Sequence, residues 1–261
     1  MTSALRSIGE RSVWVVDEGD GPAVLCIHGL GGTSNFYDPL AAAIGGTHRV
    51  LSFDLSGHGM SPQAKETSIE DWADDAIAIL DDAGVAVASV VGHSMGTLVV
   101  QQLLAAHAER FDRAVLLGPV RDLPPAGRDA QHQRAAAVRE SGMAAVAHTI
   151  SRAATSATVQ AEQPAVVAFV KELLQRQSPE GYAAACEALG SSSPPDVSTF
   201  AGPVLLVTGS DDGVSPPDRL DALAATFPNA RSMVIDGVGH WTAIEAAADV
   251  NHAIAEFLAP G

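Results

Sequence analysis

The sequence predicts an α/β fold in which a mostly parallel central sheet is flanked by helices and carries a helical insertion. Short apolar runs alternate with longer amphipathic stretches along most of the chain. Several of these runs are apolar at consecutive positions, as strands buried on both faces require. One long interval holds only helical patterns. Alternating strands and helices favour a parallel sheet with helices on both faces.

Seven apolar runs are predicted to be strands, and five amphipathic stretches between them are predicted to be helices. The strands span residues 13–16, 24–27, 50–53, 87–91, 114–117, 204–207 and 232–235. The helices span residues 37–44, 68–83, 95–108, 218–225 and 243–258. Ser68 and Asp71 resemble an N-cap with an acidic third position, and Gly84 ends the same helix.

The interval 120–200 contains no convincing strand. Its helical stretches span residues 131–140, 143–154, 164–177 and 179–189, after Pro124-Pro125 and before a Ser/Pro-rich turn at 191–195. We expect residues 120–200 to form a helical cap over one edge of a core made of residues 1–119 and 201–261. The alternative is that these are ordinary crossover helices.

The composition and net charge of the chain limit which classes of partner it can bind. The 261 residues suffice for one large α/β domain or two small ones, and 47% hydrophobic with 18% charged residues is typical of a globular chain. Lys and Arg number 15 against 31 Asp and Glu, a net charge of −16. Such a surface repels nucleic acid and anionic lipid. We therefore expect no nucleic-acid or membrane partner, and a small neutral or apolar substrate.

The cysteines and the apolar runs bear on the cellular compartment of the protein. Cys26 lies in an apolar run and Cys186 in an Ala-rich helical stretch, so two buried thiols are more plausible than a disulfide. Residues 1–9 lack a signal-peptide pattern, and no apolar run reaches membrane-spanning length. We expect a cytoplasmic protein, as a monomer or homodimer.

The strongest chemical signal is Gly-x-Ser-x-Gly at residues 92–96, between a predicted strand and a predicted helix. A serine on so tight a turn takes a strained backbone, and side chains at the flanking positions would collide with the neighbouring strand and helix. Its position at a helix N-terminus also stabilises negative charge. This context predicts that Ser94 is a nucleophile.

A serine hydroxyl needs a base, and the base needs a carboxylate to orient it. Among nine histidines, His240 lies in a Gly-flanked loop after the last predicted strand. Asp211 and Asp212 follow the strand 204–207, whose carboxyl end meets the same sheet edge as Ser94. His240 is therefore the predicted base, and the two adjacent acids compete for the third role.

Together with Gly-His-Ser-Met-Gly, three further motifs complete a recognisable set. They are His28-Gly-Leu-Gly-Gly32, Asp54-Leu-Ser-Gly-His-Gly-Met-Ser61 and Gly209-Ser-Asp-Asp212. With them the sequence resembles the α/β-hydrolase superfamily over essentially its whole length, and within it the small capped serine esterases and lactonases. The chain order of Ser, Asp and His is also the one that this superfamily has.

The resemblance implies roles for particular residues. It selects Asp212, the residue closing Gly-x-x-Asp and followed by Pro216, over Asp211. It also implies that the backbone N–H groups of Leu30 and Met95 form an oxyanion hole. His28, Asp54 and His58 are implied to be architectural. No cofactor or metal is implied. Thr97 and Ser56 replace a Gly and an Arg that are common in the family, which leaves the subfamily open.

These residues predict a carboxylic ester or lactone hydrolase that forms an acyl-enzyme on Ser94. A carbon–carbon bond hydrolase, a cofactor-free haloperoxidase and a slow-turnover signal receptor retaining the triad are alternatives on the same scaffold. A carbon–carbon hydrolase of carboxylated substrates requires basic groups, and the cap offers only scattered ones: Arg128, Arg134, Arg139 and Arg152.

Substrate choice is expected to rest with the cap. An apolar stripe at helical spacing either lines an acyl pocket or packs the cap onto the core. Met143 and Val146 on this stripe, together with Trp241 beside His240, are the predicted substrate contacts. The stripe consists of Met143, Val146, Ile150, Val166, Phe169, Val170 and Leu173.

Overall fold

The structure is a computed structural model that describes residues 2–9, 11–65 and 67–259. The outermost residues of the predicted core, 1 and 260–261, lie outside them. Within the described residues eight strands form one sheet. They are β1 (Thr2–Ile8), β2 (Arg11–Glu18), β3 (Ala23–Ile27), β4 (Arg49–Phe53), β5 (Ala88–His93), β6 (Phe111–Leu117), β7 (Val204–Gly209) and β8 (Ala230–Ile235).

The sheet has the order β1-β2-β4-β3-β5-β6-β7-β8. The pairs β1–β2 and β2–β4 are antiparallel, and every other neighbouring pair is parallel. The prediction of a mostly parallel sheet is confirmed. The strand β1 was missed, because most of its residues are exposed and its only pairing partner is β2.

Helices cover both faces of the sheet. Those outside the predicted cap are α1 (Asp38–Ile44), α2 (Ile69–Asp82), α3 (Met95–Ala106), α9 (Pro217–Ala224), α10 (Thr242–Glu245) and α11 (Ala247–Leu258). On β3, Leu25 and Ile27 pack in the cluster that contains residues of α2 and α3. Val24 and Cys26 face the opposite cluster, with residues of α1 and α11. A strand buried on both faces therefore reads as a continuous apolar run.

Five helices occupy the interval between β6 and β7. They are α4 (Pro125–Ser141), α5 (Met143–Ala153), α6 (Ala157–Glu162), α7 (Pro164–Gln175) and α8 (Pro179–Ser191). Pro125 stands in the first turn of α4, where its missing N–H costs nothing. Of these helices, α6 was not predicted, and the Ser156 side chain caps its N-terminus. We call these five helices and their connections the α4–α8 segment.

Candidate active site

Ser94 stands at the sharp turn between β5 and α3. Its φ of 51° makes it the one non-glycine residue with positive φ in the described part of the chain, a strained conformation that the surrounding packing must hold. The turn requires glycine at residue 96, because a Cβ there would lie 2.6 Å from the backbone oxygen of His28. The strand, turn and helix inferred from the motif are all present.

His240 lies on the loop between β8 and α10 and reaches both other predicted residues. Its Nε2 is 2.8 Å from Ser94 Oγ, and its Nδ1 is 2.8 Å from Asp212 Oδ2. A neutral imidazole with its proton on Nδ1 donates to Asp212 and accepts from the Ser94 hydroxyl. The structure thus brings the three residues into one hydrogen-bonded chain.

Asp212 is held as a carboxylate by several donors. Its Oδ1 accepts the backbone N–H groups of Val214 and Ser215, both at 2.8 Å, and Thr208 donates to Oδ2. Burial alone would raise the pKa of Asp212, but His240 and the two N–H donors outweigh it and lower the pKa to about 2. Asp211 is exposed and contacts only Ser210 through its side chain among the described residues.

Glu245 fixes the loop that carries His240, and the sequence analysis missed it. One carboxylate oxygen accepts the backbone N–H of Trp241 at 3.0 Å. The other accepts those of Gly239 at 3.0 Å and Ser156 at 2.9 Å. The buried carboxylate therefore holds the residues on either side of His240 and ties them to the α4–α8 segment. An acid four or five residues after the base was the one available signal.

The loop after β3 lies against Ser94. A Cβ on Gly29 would come within 2.8 Å of Ser94 Cβ. Leu30, the next residue in the chain, therefore lies beside Ser94. Within the described residues, the backbone N–H groups of Leu30 and Met95 donate to no protein acceptor. Both predicted donors are therefore free to bind an oxyanion, and Met95 directly follows Ser94 in the chain.

His28 and Asp54 hold this loop rather than face the cavity. His28 Nδ1 donates to the Gly29 carbonyl at 2.8 Å, and Nε2 accepts the Leu55 N–H at 3.0 Å. Burial lowers the pKa of His28 to about 4, which keeps the ring neutral in this role. Asp54 accepts the Ser34 N–H at 2.6 Å. Both side chains bind backbone, as architectural residues do.

Gln177, at the end of α7, is a second residue that the sequence analysis missed. Its buried amide nitrogen donates to the carbonyls of Gly31 at 3.2 Å and Leu173 at 2.8 Å. Its oxygen accepts the Gly59 N–H at 3.1 Å. One side chain therefore ties the loop after β3 and the loop after β4 to the α4–α8 segment. No sequence pattern indicates such a contact.

A cavity of about 260 Å³ opens beside Ser94 and His240. Trp241 lines it, and so do Leu30 and residues of the α4–α8 segment. The structure does not bring Met143 and Val146 to this cavity. Both pack in the apolar cluster between the helices and the sheet, whereas Ile150, further along the same stripe of α5, lines the cavity.

The described residues hold no group of three or more His, Cys, Asp or Glu side chains placed to bind a metal ion. Cys26 and Cys186 are buried and unpaired, as predicted. No helix in ranges 2–9, 11–65 and 67–259 combines the length and apolar character needed to cross a membrane.

Comparison with known proteins agrees with this geometry. A family model described as alpha/beta hydrolase fold matches residues 22–247. The chain is 27% identical to 3-oxoadipate enol-lactonase 2 of Acinetobacter baylyi, over 91% of this chain and 88% of that one. It is 27% identical to esterase YbfF of Escherichia coli, over 90% and 92%. The enol-lactonase structure from Burkholderia xenovorans superposes with a TM-score of 0.91 at 27% identity, over 98% and 99%. The chain belongs to the α/β-hydrolase family.

Proposed function

We propose that this protein is a serine hydrolase that cleaves carboxylic esters or lactones through an acyl-enzyme on Ser94. The observation that supports it best is the chain of hydrogen bonds from Asp212 to His240 to Ser94, each 2.8 Å long, beside an open cavity. A hydroxyl paired with an oriented imidazole is the arrangement that nucleophilic acyl transfer requires.

In the proposed reaction His240 Nε2 takes the proton of Ser94 as Oγ attacks the substrate carbonyl carbon. The imidazolium that results is stabilised by Asp212, whose low pKa keeps it ionised. His240 then gives the proton to the leaving alcohol oxygen. Water, deprotonated by the same nitrogen, attacks the acyl-enzyme and regenerates Ser94.

The negative charge on the tetrahedral oxygen is assigned to the backbone N–H groups of Leu30 and Met95. Both are without protein acceptors among the described residues, and Met95 begins α3, whose N-terminus favours an anion. Removing one such donor typically costs about 100-fold or more in rate.

The α4–α8 segment supports two further parts of the proposal. We assign residues 120–200 as a cap over a core of residues 1–119 and 201–261, because this interval supplies one wall of the cavity. We also assign the protein to a reducing, cytoplasmic compartment, since its two cysteines are buried apart from each other and unpaired.

The test is steady-state hydrolysis of p-nitrophenyl acetate, p-nitrophenyl butyrate and a panel of lactones by the wild type and Ser94→Ala. We expect Ser94→Ala to lose turnover by at least about 10³-fold while its thermal unfolding stays cooperative. Ser7→Ala, an exposed serine on β1, is the matched control and should retain full activity.

A fluorophosphonate probe with peptide mass mapping gives a second readout. We expect covalent addition at Ser94 in the wild type and none in His240→Ala. Full ester turnover by Ser94→Ala, or labelling at another serine, would refute the proposed function.

A further inference from the structure

Two arginines face the cavity beside Ser94. Arg134 on α4 and Arg219 on α9 both line it, and Asp122 is the one carboxylate on its wall among the described residues. That carboxylate is paired with Arg128 at 2.6 Å. In a chain with twice as many acidic as basic residues, the lining of this cavity is therefore locally cationic.

Arg134 differs from Arg128, Arg139 and Arg176 of the α4–α8 segment in having no counterion among the described residues. Arg139 pairs with Glu180 at 2.8 Å and also with Glu187, and Arg176 lies 3.8 Å from Glu172. Within the described residues no carboxylate oxygen lies within 4.0 Å of Arg134. Its hydrogen bond to Gln131 Oε1 is long at 3.4 Å, and the Tyr182 hydroxyl also lies close to the guanidinium. Most of its donors are left for another acceptor.

The position of Arg134 makes an unpaired guanidinium group energetically costly. The side chain is partly buried, and a guanidinium stays charged at any ordinary pH. Removing such a charge from water without a partner is unfavourable. The buried ring of Tyr182 and the apolar side chain of Leu189 line the same cavity, so water there is limited.

Arg134 and Ser94 line a single cavity of about 260 Å³, a volume that suits a compact ligand. A small molecule can therefore reach both groups at once. Planar guanidinium groups bind carboxylates through two parallel hydrogen bonds. We propose that Arg134 binds a carboxylate of the substrate, so that the preferred substrates are small esters or lactones carrying a free carboxylate. This inference rests on the proposed function and replaces the expectation of a neutral substrate.

The test compares two esters that differ only in the carboxylate: monomethyl succinate and methyl butyrate, followed by pH-stat titration. A second pair, carboxymethyl butyrate and ethyl butyrate, places the charge on the alcohol side. We expect the wild type to have the higher kcat/KM for the charged member of at least one pair. Equal or lower values for both charged esters would overturn the proposal.

The variants Arg134→Gln and Arg134→Lys locate the effect. We expect Arg134→Gln to lower kcat/KM for the preferred charged ester about 10- to 100-fold, mainly through KM, and to change the neutral ester less than about threefold. Arg134→Lys keeps the positive charge but lacks the planar group that makes two parallel hydrogen bonds, so it should retain part of the preference for the charged ester. Arg152→Gln, an exposed arginine that does not line the cavity, is the control.

An equal loss on charged and neutral esters in Arg134→Gln would show a structural role and overturn the inference. If Arg134→Gln does not fold, the inference is judged on the preference for the charged ester over the neutral one in the wild type and on its partial retention in Arg134→Lys. If the wild type hydrolyses neither these esters nor the p-nitrophenyl esters and lactones, the proposed function fails. The inference is then tested by calorimetric binding of monomethyl succinate and methyl butyrate to Ser94→Ala, where tighter binding of the charged ester supports it and equal binding overturns it.

Discussion

Glu245 accepts a hydrogen bond from the backbone N–H of Ser156, 2.9 Å away, and so connects the His240 loop to the α4–α8 segment. Since the same carboxylate binds the N–H groups of Gly239 and Trp241, three backbone donors depend on one buried side chain. His240 itself donates its backbone N–H to the Ala154 carbonyl at 2.9 Å. His240, the proposed base, is therefore placed jointly by α10 and by the α4–α8 segment.

Glu245→Gln should disturb the base without removing it. Its amide group turns a donor toward at least one of the three backbone N–H groups, so we expect the free energy of unfolding to fall by about 1–3 kcal/mol. We expect kcat to fall about 10- to 100-fold, because a small displacement of the base is costly in rate. Urea unfolding and ester kinetics measure the two effects. Glu256→Gln, at an exposed position on α11, should change neither, and unchanged kcat in Glu245→Gln would contradict this role.

The carboxylate of Asp212 should give the protein a defined acid sensitivity. Its pKa is lowered to about 2 in the folded protein from 3.8. The stabilisation is therefore complete above about pH 4 and is lost as the pH falls toward 2. We expect Asp212→Asn to cost about 2 kcal/mol near pH 6 from this term, and the difference from the wild type to shrink by about 1 kcal/mol between pH 5 and pH 3. Urea unfolding of both proteins across this range is the measurement, and a difference that does not depend on pH would contradict the prediction.

Gly96 should be needed for packing rather than for chemistry. A Cβ there would press on the backbone oxygens of Ile27 and His28, so β3 and α3 must separate to admit it. We expect Gly96→Ala to lower the free energy of unfolding by about 1–3 kcal/mol or more. Gly46→Ala, where a Cβ meets no atom within 4 Å, is the matched control. Thermal unfolding compares the two, and equal stability would show that the backbone yields more easily than expected.

Gln177 should influence the loop after β3, which carries the proposed oxyanion donor Leu30. Gln177→Leu keeps the approximate volume but leaves the Gly59 N–H and the Gly31 carbonyl without their partner. We expect a loss of about 1–3 kcal/mol in stability and a lower kcat with little change in KM, since Leu30 belongs to the same loop. Gln175→Leu makes the same change at an exposed position and should have little effect. A change in KM alone would instead indicate a role in substrate binding.

The sequence predicted what depends on local pattern. The central strands β3, β5 and β7 are buried on both faces, so their hydrophobic pattern is strong, whereas the exposed edge strand β1 carries almost none. The tight turn at Ser94 was predictable because the five-residue motif itself contains the glycines that the turn requires for steric reasons. The geometry joining His240 to Asp212 was inferred through family resemblance and chain order, not through periodicity.

What could not be predicted depends on contacts between distant parts of the chain. Gln177 binds backbone groups of two distant loops, and Glu245 binds the distant Ser156 as well as its own neighbours Gly239 and Trp241. The sequence pattern of the stripe that contains Met143 and Val146 does not distinguish packing on the core from lining a cavity. An apolar helix face is suited to either position. Only the orientation of α5 decides between them, and it places both residues in the core cluster.

The position of the α4–α8 segment between two paired strands has a consequence for chain length. The strands β6 and β7 are parallel neighbours, with Ala114 opposite Val204, so the sheet fixes both ends of the segment whatever lies between them. The entropy of closing a loop grows only with the logarithm of its length, by about 0.6 kcal/mol for each doubling. Where Ala154, Ser156 and Gln177 keep their contacts, residues 118–203 can therefore be lengthened or shortened at small conformational cost, and the wall of the cavity can change while the sheet that carries Ser94 stays as it is.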